Sequence, residues 1–217
     1  MRHRSISGIA ATVALALLPT PARAEWYAQA YLGVSHTFNA TLTTDLGDAR
    51  SRATYTDVPL EGRSFASPPY YGYRVGRARG RFGFEAELTH LKVYARLGSL
   101  GPFVDRFSIS HGLNLLVGNV MWRQPLVARV RLAVRGGAGV AIPHGESQVR
   151  GAYQEQYELS GLALEAAAGP EALLGRHGRA FVEYKISTAT PSVSVSGGAI
   201  SGRYTSQHVA AGMGVAW

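Results

Sequence analysis

The chain has 217 residues, a formal charge of +8 and no cysteine. That length suits one domain, and without cysteine nothing depends on a disulfide framework. No apolar run reaches the length of a spanning helix, so a membrane protein built from this chain must be a closed barrel.

Met1 to Ala24 predicts a secretory signal peptide. Arg2 and Arg4 form a positive leader and Ile9 to Leu18 a short apolar run. Pro19 and Pro21 end any helix before the small-x-small cleavage site Ala22-Arg23-Ala24. The 217 residues less these 24 leave an expected mature domain of 193, residues 25–217. Losing Arg2, Arg4 and Arg23 takes its charge from +8 to +5. Basic charge points to nucleic acid in a cytosolic protein, and export argues against that partner here.

From Glu25 onward, apolar residues alternate with small or polar ones, the period of a strand. Eight strands are expected, over residues 25–35, 70–77, 81–94, 107–122, 127–144, 157–174, 179–188 and 204–217. The connections 76–80, 123–125 and 175–178 are tight turns, whereas 36–69, 95–106, 145–156 and 189–203 are long loops. Short turns at one end and long loops at the other fit an all-β, eight-stranded antiparallel transmembrane β-barrel with both termini in the periplasm. The last strand shows the pattern most plainly. Val209, Ala211, Met213, Val215 and the aromatic Trp217 share an outward face, and His208, Ala210, Gly212, Gly214 and Ala216 share the inward one.

The same alternation assigns the interior. Outward Phe82, Phe84, Ala86 and Leu88 send Glu85 and Glu87 inward, and outward Val182, Tyr184 and Ile186 do the same for Glu183 and Lys185. Val130, Leu132 and Val134 leave Arg129, Arg131 and Arg135 inside, and the sixth strand adds Glu165 and Glu171. An eight-stranded barrel is too narrow for a water-filled pore, and a buried charge is costly unless paired. These groups are therefore expected to form an ion-paired scaffold rather than a porin lining. Glycine at alternate strand positions suits an interior with little room.

Five histidines of the expected mature chain, His36, His90, His111, His144 and His208, fall at extracellular strand ends, with Glu146, Tyr157 and Glu158 at the same level. His177 falls in a periplasmic turn. Closure makes strands one and eight, three and four, and four and five neighbours, so these histidines could converge on one rim, although His90 follows the lipid-facing phase. Imidazole is the commonest metal ligand and is easily tuned for proton transfer, and histidines with a glutamate suit a transition metal with open positions. Rim histidines are equally ordinary interfacial residues, and no fixed-spacing metal motif is present. Gly136-Gly-Ala-Gly139 opens no helix, which argues against nucleotide binding. Arg50, Arg52, Arg63, Arg150 and Arg203 lie in outer loops, where they could meet lipopolysaccharide phosphates.

Four segments carry a family resemblance: Phe84-Glu-Ala-Glu-Leu-Thr-His-Leu-Lys92, Val140-Ala-Ile-Pro-His-Gly-Glu146, Tyr157-Glu158 followed by Gly161, and Phe181-Val-Glu-Tyr-Lys185. The expected mature chain resembles the small opacity-type outer-membrane barrels of Gram-negative bacteria and, more narrowly, the lipid A oxidases. The resemblance implies oxygen-dependent oxidation of lipid A in the outer leaflet, converting a proximal glucosamine without its 1-phosphate to 2-aminogluconate. It points to His111, His144, Glu146, Glu158 and His208 as catalytic residues. Some of His90, His111, His144 and His208 would hold a divalent transition metal, with O2 as co-substrate, while Glu146 or Glu158 takes a proton from the C1 hydroxyl. Outer-membrane lipid, lipopolysaccharide and the barrel-assembly machinery are the expected partners. A closed barrel has no free edge, so a monomer is expected.

Two other functions compete. A non-catalytic barrel would use its long loops, chiefly 36–69, in adhesive or structural contacts, since that loop shows no structural duty. A lipid A deacylase would need a serine, a histidine and an acid, for which Ser206 and His208 share a strand face.

Overall fold

The computed structural model describes residues 24–48 and 51–217; the signal-peptide assignment for residues 1–23, and Arg50, lie outside them. The described residues form fourteen strands and no helix. These are β1 (Ala24–Thr37), β2 (Ala40–Asp45), β3 (Ala53–Val58), β4 (Leu60–Glu61), β5 (Tyr71–Arg79), β6 (Phe82–Ala95) and β7 (Val104–Val127). There follow β8 (Val130–Val149), β9 (Ala152–Tyr157), β10 (Leu162–Leu174), β11 (Gly178–Ala189), β12 (Ser192–Val195), β13 (Gly198–Gly202) and β14 (Tyr204–Ala216).

Eight of them close a barrel. Antiparallel ladders run β1–β5–β6–β7–β8–β10–β11–β14, and β14 returns to β1 from Tyr27↔Ala216 to Thr37↔Ser206. Trp26 and Trp217 exchange backbone hydrogen bonds at 3.0 and 2.9 Å. Closure satisfies the backbone groups that an open edge would leave bare in lipid. The outside carries an apolar belt that includes Leu32, Phe84 (70% exposed), Leu116, Val182 and Met213. Aromatics flank it, with Trp26, Phe82 and Trp217 on the turn side and Tyr71, Tyr73 and Tyr184 on the loop side. Such an exterior around a charged interior is that of an outer-membrane-type barrel.

The interior is filled. Six carboxylates (Glu25, Glu85, Glu87, Glu165, Glu171 and Glu183) face six cations (Arg74, Arg123, Arg131, Arg135, Arg179 and Lys185). Arg74 grips Glu87 with two hydrogen bonds of 2.7 and 2.9 Å and also meets Glu183. Arg135 joins Glu183 to Glu85, the latter at 2.8 Å, and Lys185 binds Glu87. Tyr27 and Tyr31 donate to Glu85 and Glu87, each at 2.6 Å. Room for these rings comes from Gly72 and Gly76, where a Cβ would lie 2.1 Å from Tyr31 and 2.5 Å from Tyr27. Paired this way, the charges hold the barrel's section without a channel.

The loop side departs from the sequence expectation. A membrane strand needs roughly 9–11 residues, but β7 has 24 and β8 has 20, so their hairpin stands well clear of the belt. The turn joining them is at residues 128–129 rather than 123–125. Pro125, which has no N–H to donate, is accommodated at a register shift within β7. Arg129 consequently sits exposed in that turn and is not an interior charge. The expected sixth strand is split. Residues 152–157 pair back onto β8, and β10 starts only after Gly161, which takes a φ of +85°.

The first and last loops do have a structural duty. They form a second sheet in the order β12-β13-β2-β3, with Ile200 opposite Thr44. Its Leu42, Val193 and Ile200 belong to one buried cluster with Leu91, Ile109, Leu113 and Ala141 of the barrel strands. Val193 packs directly over Gly145. Each fully buried aliphatic side chain contributes about 1.5–3 kcal/mol, so this cap is a true core.

Candidate functional site

The site is built on an irregularity. Ser108 pairs with Glu146 and Leu113 with Pro143, so five steps along β7 match three along β8 and two residues are extra. Such a bulge re-aims the side chains beside it. Gly112 occupies φ +122°, and a Cβ there would strike the His90 ring at 2.3 Å. The bulge carries Ser110 and His111 to the outer face of β8, where Ile142, His144 and Glu146 follow one another at alternate positions.

Six side chains meet there. The His111 and His144 rings are 4.7 Å apart, edge to face, and His144 stacks on Tyr157 at 4.1 Å. Ser110 donates its hydroxyl to Glu146 Oε2 at 2.5 Å and lies 3.2 Å from His111 Nδ1. Arg106 binds the other Glu146 oxygen at 2.5 Å. Burial, followed by the neighbouring His111, holds His144 below the usual imidazole range, so it is neutral near pH 7. Its Nδ1 is buried without a hydrogen-bond partner.

The other expected site residues lie elsewhere. His90 is buried on the barrel wall, stacked on Tyr71 at 4.8 Å with Nδ1 2.9 Å from Asn114 Oδ1. His208 points into the barrel at 1% exposure and bonds Ser187 at 2.9 Å. Ser206 bonds Thr37 at 2.8 Å, also inside, so the Ser206–His208 deacylase arrangement does not form. Glu158 accepts from the Ser194 backbone at 2.9 Å and from Gln156 at 2.5 Å, a bracing role toward the cap. His36 is exposed on β1 against Phe38. Among the loop arginines, Arg52 and Arg150 pair with Asp45 and Asp48.

The chemistry of the donors does not fit the expected metal. Among the described residues no three His, Asp or Glu side chains are placed to hold an ion. His111 and His144 supply two imidazoles, but both Glu146 oxygens are engaged by Ser110 and Arg106. His90 and His208 are held away by their own contacts. Ser110 and Arg106 are the participants that periodicity misses, because a bulge is invisible to a period of two.

No family model matches the chain, and no curated protein matches it. Solved structures similar to it include Neisserial surface protein A, with 13% identity, 88% of this chain and 96% of that one covered, and a TM-score of 0.44. The attachment invasion locus protein Ail of Yersinia pestis has 10% identity, coverage of 91% and 100%, and a TM-score of 0.41. The outer membrane protease OmpT of Escherichia coli has 8% identity, coverage of 89% and 97%, and a TM-score of 0.49.

Proposed function

We propose that this protein is an outer-membrane enzyme that oxidises the lipid A headgroup from the outer leaflet. The reading is carried by the position of Ser110, His111, His144 and Glu146, which lie on the lipid side of the β7–β8 hairpin beyond the belt while the interior is filled. His144 is two residues above Ile142, or about 7 Å at strand rise. Headgroups occupy roughly 5–8 Å on each side of the hydrocarbon core, so substrate sugar and imidazole share one level. A lipid enters laterally, without crossing the barrel.

In this proposal the imidazole of neutral His144 takes the proton of the sugar's C1 hydroxyl. The C1 hydrogen passes with its electron pair to molecular oxygen, which then takes the proton held by His144 and leaves as hydrogen peroxide, while C1 becomes the carbonyl of a lactone. Water then opens the lactone to the aldonic acid. Glu146, held in place by Arg106 and Ser110, stabilises the imidazolium. This replaces Glu146 or Glu158 as the proton acceptor, since the first is engaged and the second braces the cap.

One contact favours a second reading. Ser110 touches both His111 and Glu146, the residue types of a hydrolase. Mass spectrometry of lipid A from a host lacking the 1-phosphate, with and without this chain, separates the two. The proposal expects an air-dependent species one oxygen heavier that disappears with His144→Gln. Loss of an acyl chain would replace it with the hydrolase. Unchanged lipid A beside a folded barrel would sink both and leave an adhesive or structural role.

A further inference from the structure

We infer that a basic cleft next to the histidine cluster binds an oxyanion, phosphate or sugar carboxylate, carried on the saccharide of an outer-leaflet glycolipid; this rests on the lipid-headgroup reading and adds a second subsite to it. The cleft encloses about 540 Å³ and opens between the loop-side ends of β6 and β7 and the segment after β4. Arg63, Arg96 and Arg106 line it together with Tyr94 and Ser108, and Glu61 is the carboxylate among its lining residues.

Charge supplies the first argument. The Arg63 guanidinium sits over the Tyr94 ring, 4.1 Å from its centroid, which fixes the fork against the cleft wall. Arg106 is shared with Glu146, and among the described residues Arg63 and Arg96 have no ion-pair partner. Three guanidiniums around one cavity repel each other unless an anion lies between them. Their planar donors match phosphate and carboxylate oxygens.

The second argument is independent of charge. Ser108 is 1% exposed, lines the cleft, and its hydroxyl has no hydrogen-bond partner. A buried polar group without a partner is unusual and calls for one. A ligand oxygen seated between the arginines would accept from it.

Continuity indicates the source of the anion. Ser108 pairs in register with both Tyr94 and Glu146, and Arg106 reaches from the cleft to the same Glu146. Cleft and cluster are therefore adjacent parts of one outer surface. Glu146 is two residues farther from the belt than His144, so the cleft lies outward of the cluster. A glycolipid with its proximal sugar at His144 would extend its outer saccharide across the arginines.

The test uses the full chain folded in detergent micelles, with folding checked by heat-modifiable electrophoretic mobility. Three probes are titrated: lipopolysaccharide with its phosphorylated acidic core, core-free dephosphorylated lipid A, and inorganic phosphate. The double variant Arg63→Gln/Arg96→Gln should bind the acidic lipopolysaccharide about tenfold more weakly, or ~1.4 kcal/mol. Ser108→Ala should weaken it less, and both should bind core-free lipid A within about twofold of the native chain. Rising salt should shrink the difference. Native affinity of the double variant for acidic lipopolysaccharide would overturn the inference. Inorganic phosphate binding as tightly as the lipopolysaccharide would overturn the glycolipid assignment. Oxidation of core-free lipid A should be equal in native and double-variant protein. If neither oxidises it while the binding difference remains, the enzyme reading fails and the cleft stands.

Discussion

Glu183 is the junction of the interior charges, and its removal tests whether the barrel is held by dry ion pairing. Its carboxylate meets both Arg74 and Arg135 at 2% exposure. Glu183→Gln keeps the shape and leaves five interior carboxylates against six cations. Breaking a buried pair on one side costs about 3–5 kcal/mol. Here Arg74 retains its two bonds to Glu87 and Arg135 retains Glu85 at 2.8 Å, so the expected loss is at the lower end, about 3 kcal/mol. Urea unfolding of the barrel in micelles, followed by tryptophan fluorescence and heat-modifiable mobility, measures it. The double variant Arg135→Met/Glu183→Leu restores the balance at five and five with apolar volume, and should recover at least half of the loss. The two sites touch, so their effects must be non-additive. A Glu183→Gln barrel within about 0.5 kcal/mol of the native one, or a double variant less stable than the single, would refute the pairing argument.

Gly72→Ala places a Cβ 2.1 Å from the Tyr31 ring and should cost about 1–3 kcal/mol in the same assay. Gly118→Ala, whose Cβ would meet nothing nearer than 3.9 Å, is the neutral control, and equal effects would show that the interior yields freely. His144→Gln should lower lipid A oxidation by about 10²–10⁴, whereas His208→Gln, altering an interior contact, should change stability and leave the rate near native. A large rate loss with His208→Gln would restore that residue to the site. Because the folded protein disfavours protonated His144, its neutral form should persist as pH falls past the ordinary value of 6.5. Below that pH the unfolded chain takes up the proton first, so stability should fall with acidification, and less so in His144→Gln. An imidazole titration by NMR with its midpoint at or above 6.5 would contradict this.

How far the site was legible follows from what is local. Alternation needs no knowledge of the partner strand. Glu85 and Glu87, Glu183 and Lys185, and the outward Val209, Met213 and Trp217 therefore read directly from sequence, as did the paired interior. The inward phase of His208 was legible too, but its depth was not. Height along a barrel depends on register and on what caps the mouth. Ser110 and Arg106 escaped because the two extra residues of β7 break the period at the place where the cluster forms.

By itself, then, the order of residues determined the barrel class, the two faces of its strands and the identity of the interior charges, since these follow from a period of two and from the cost of lipid contact. Only the tertiary structure decided that residues 40–45 and 198–202 share a sheet, which residues lie beside His144, and that His90 and His208 stand apart. Those outcomes depend on pairings between distant segments and on a bulge, whose energies come from contacts that no single strand contains.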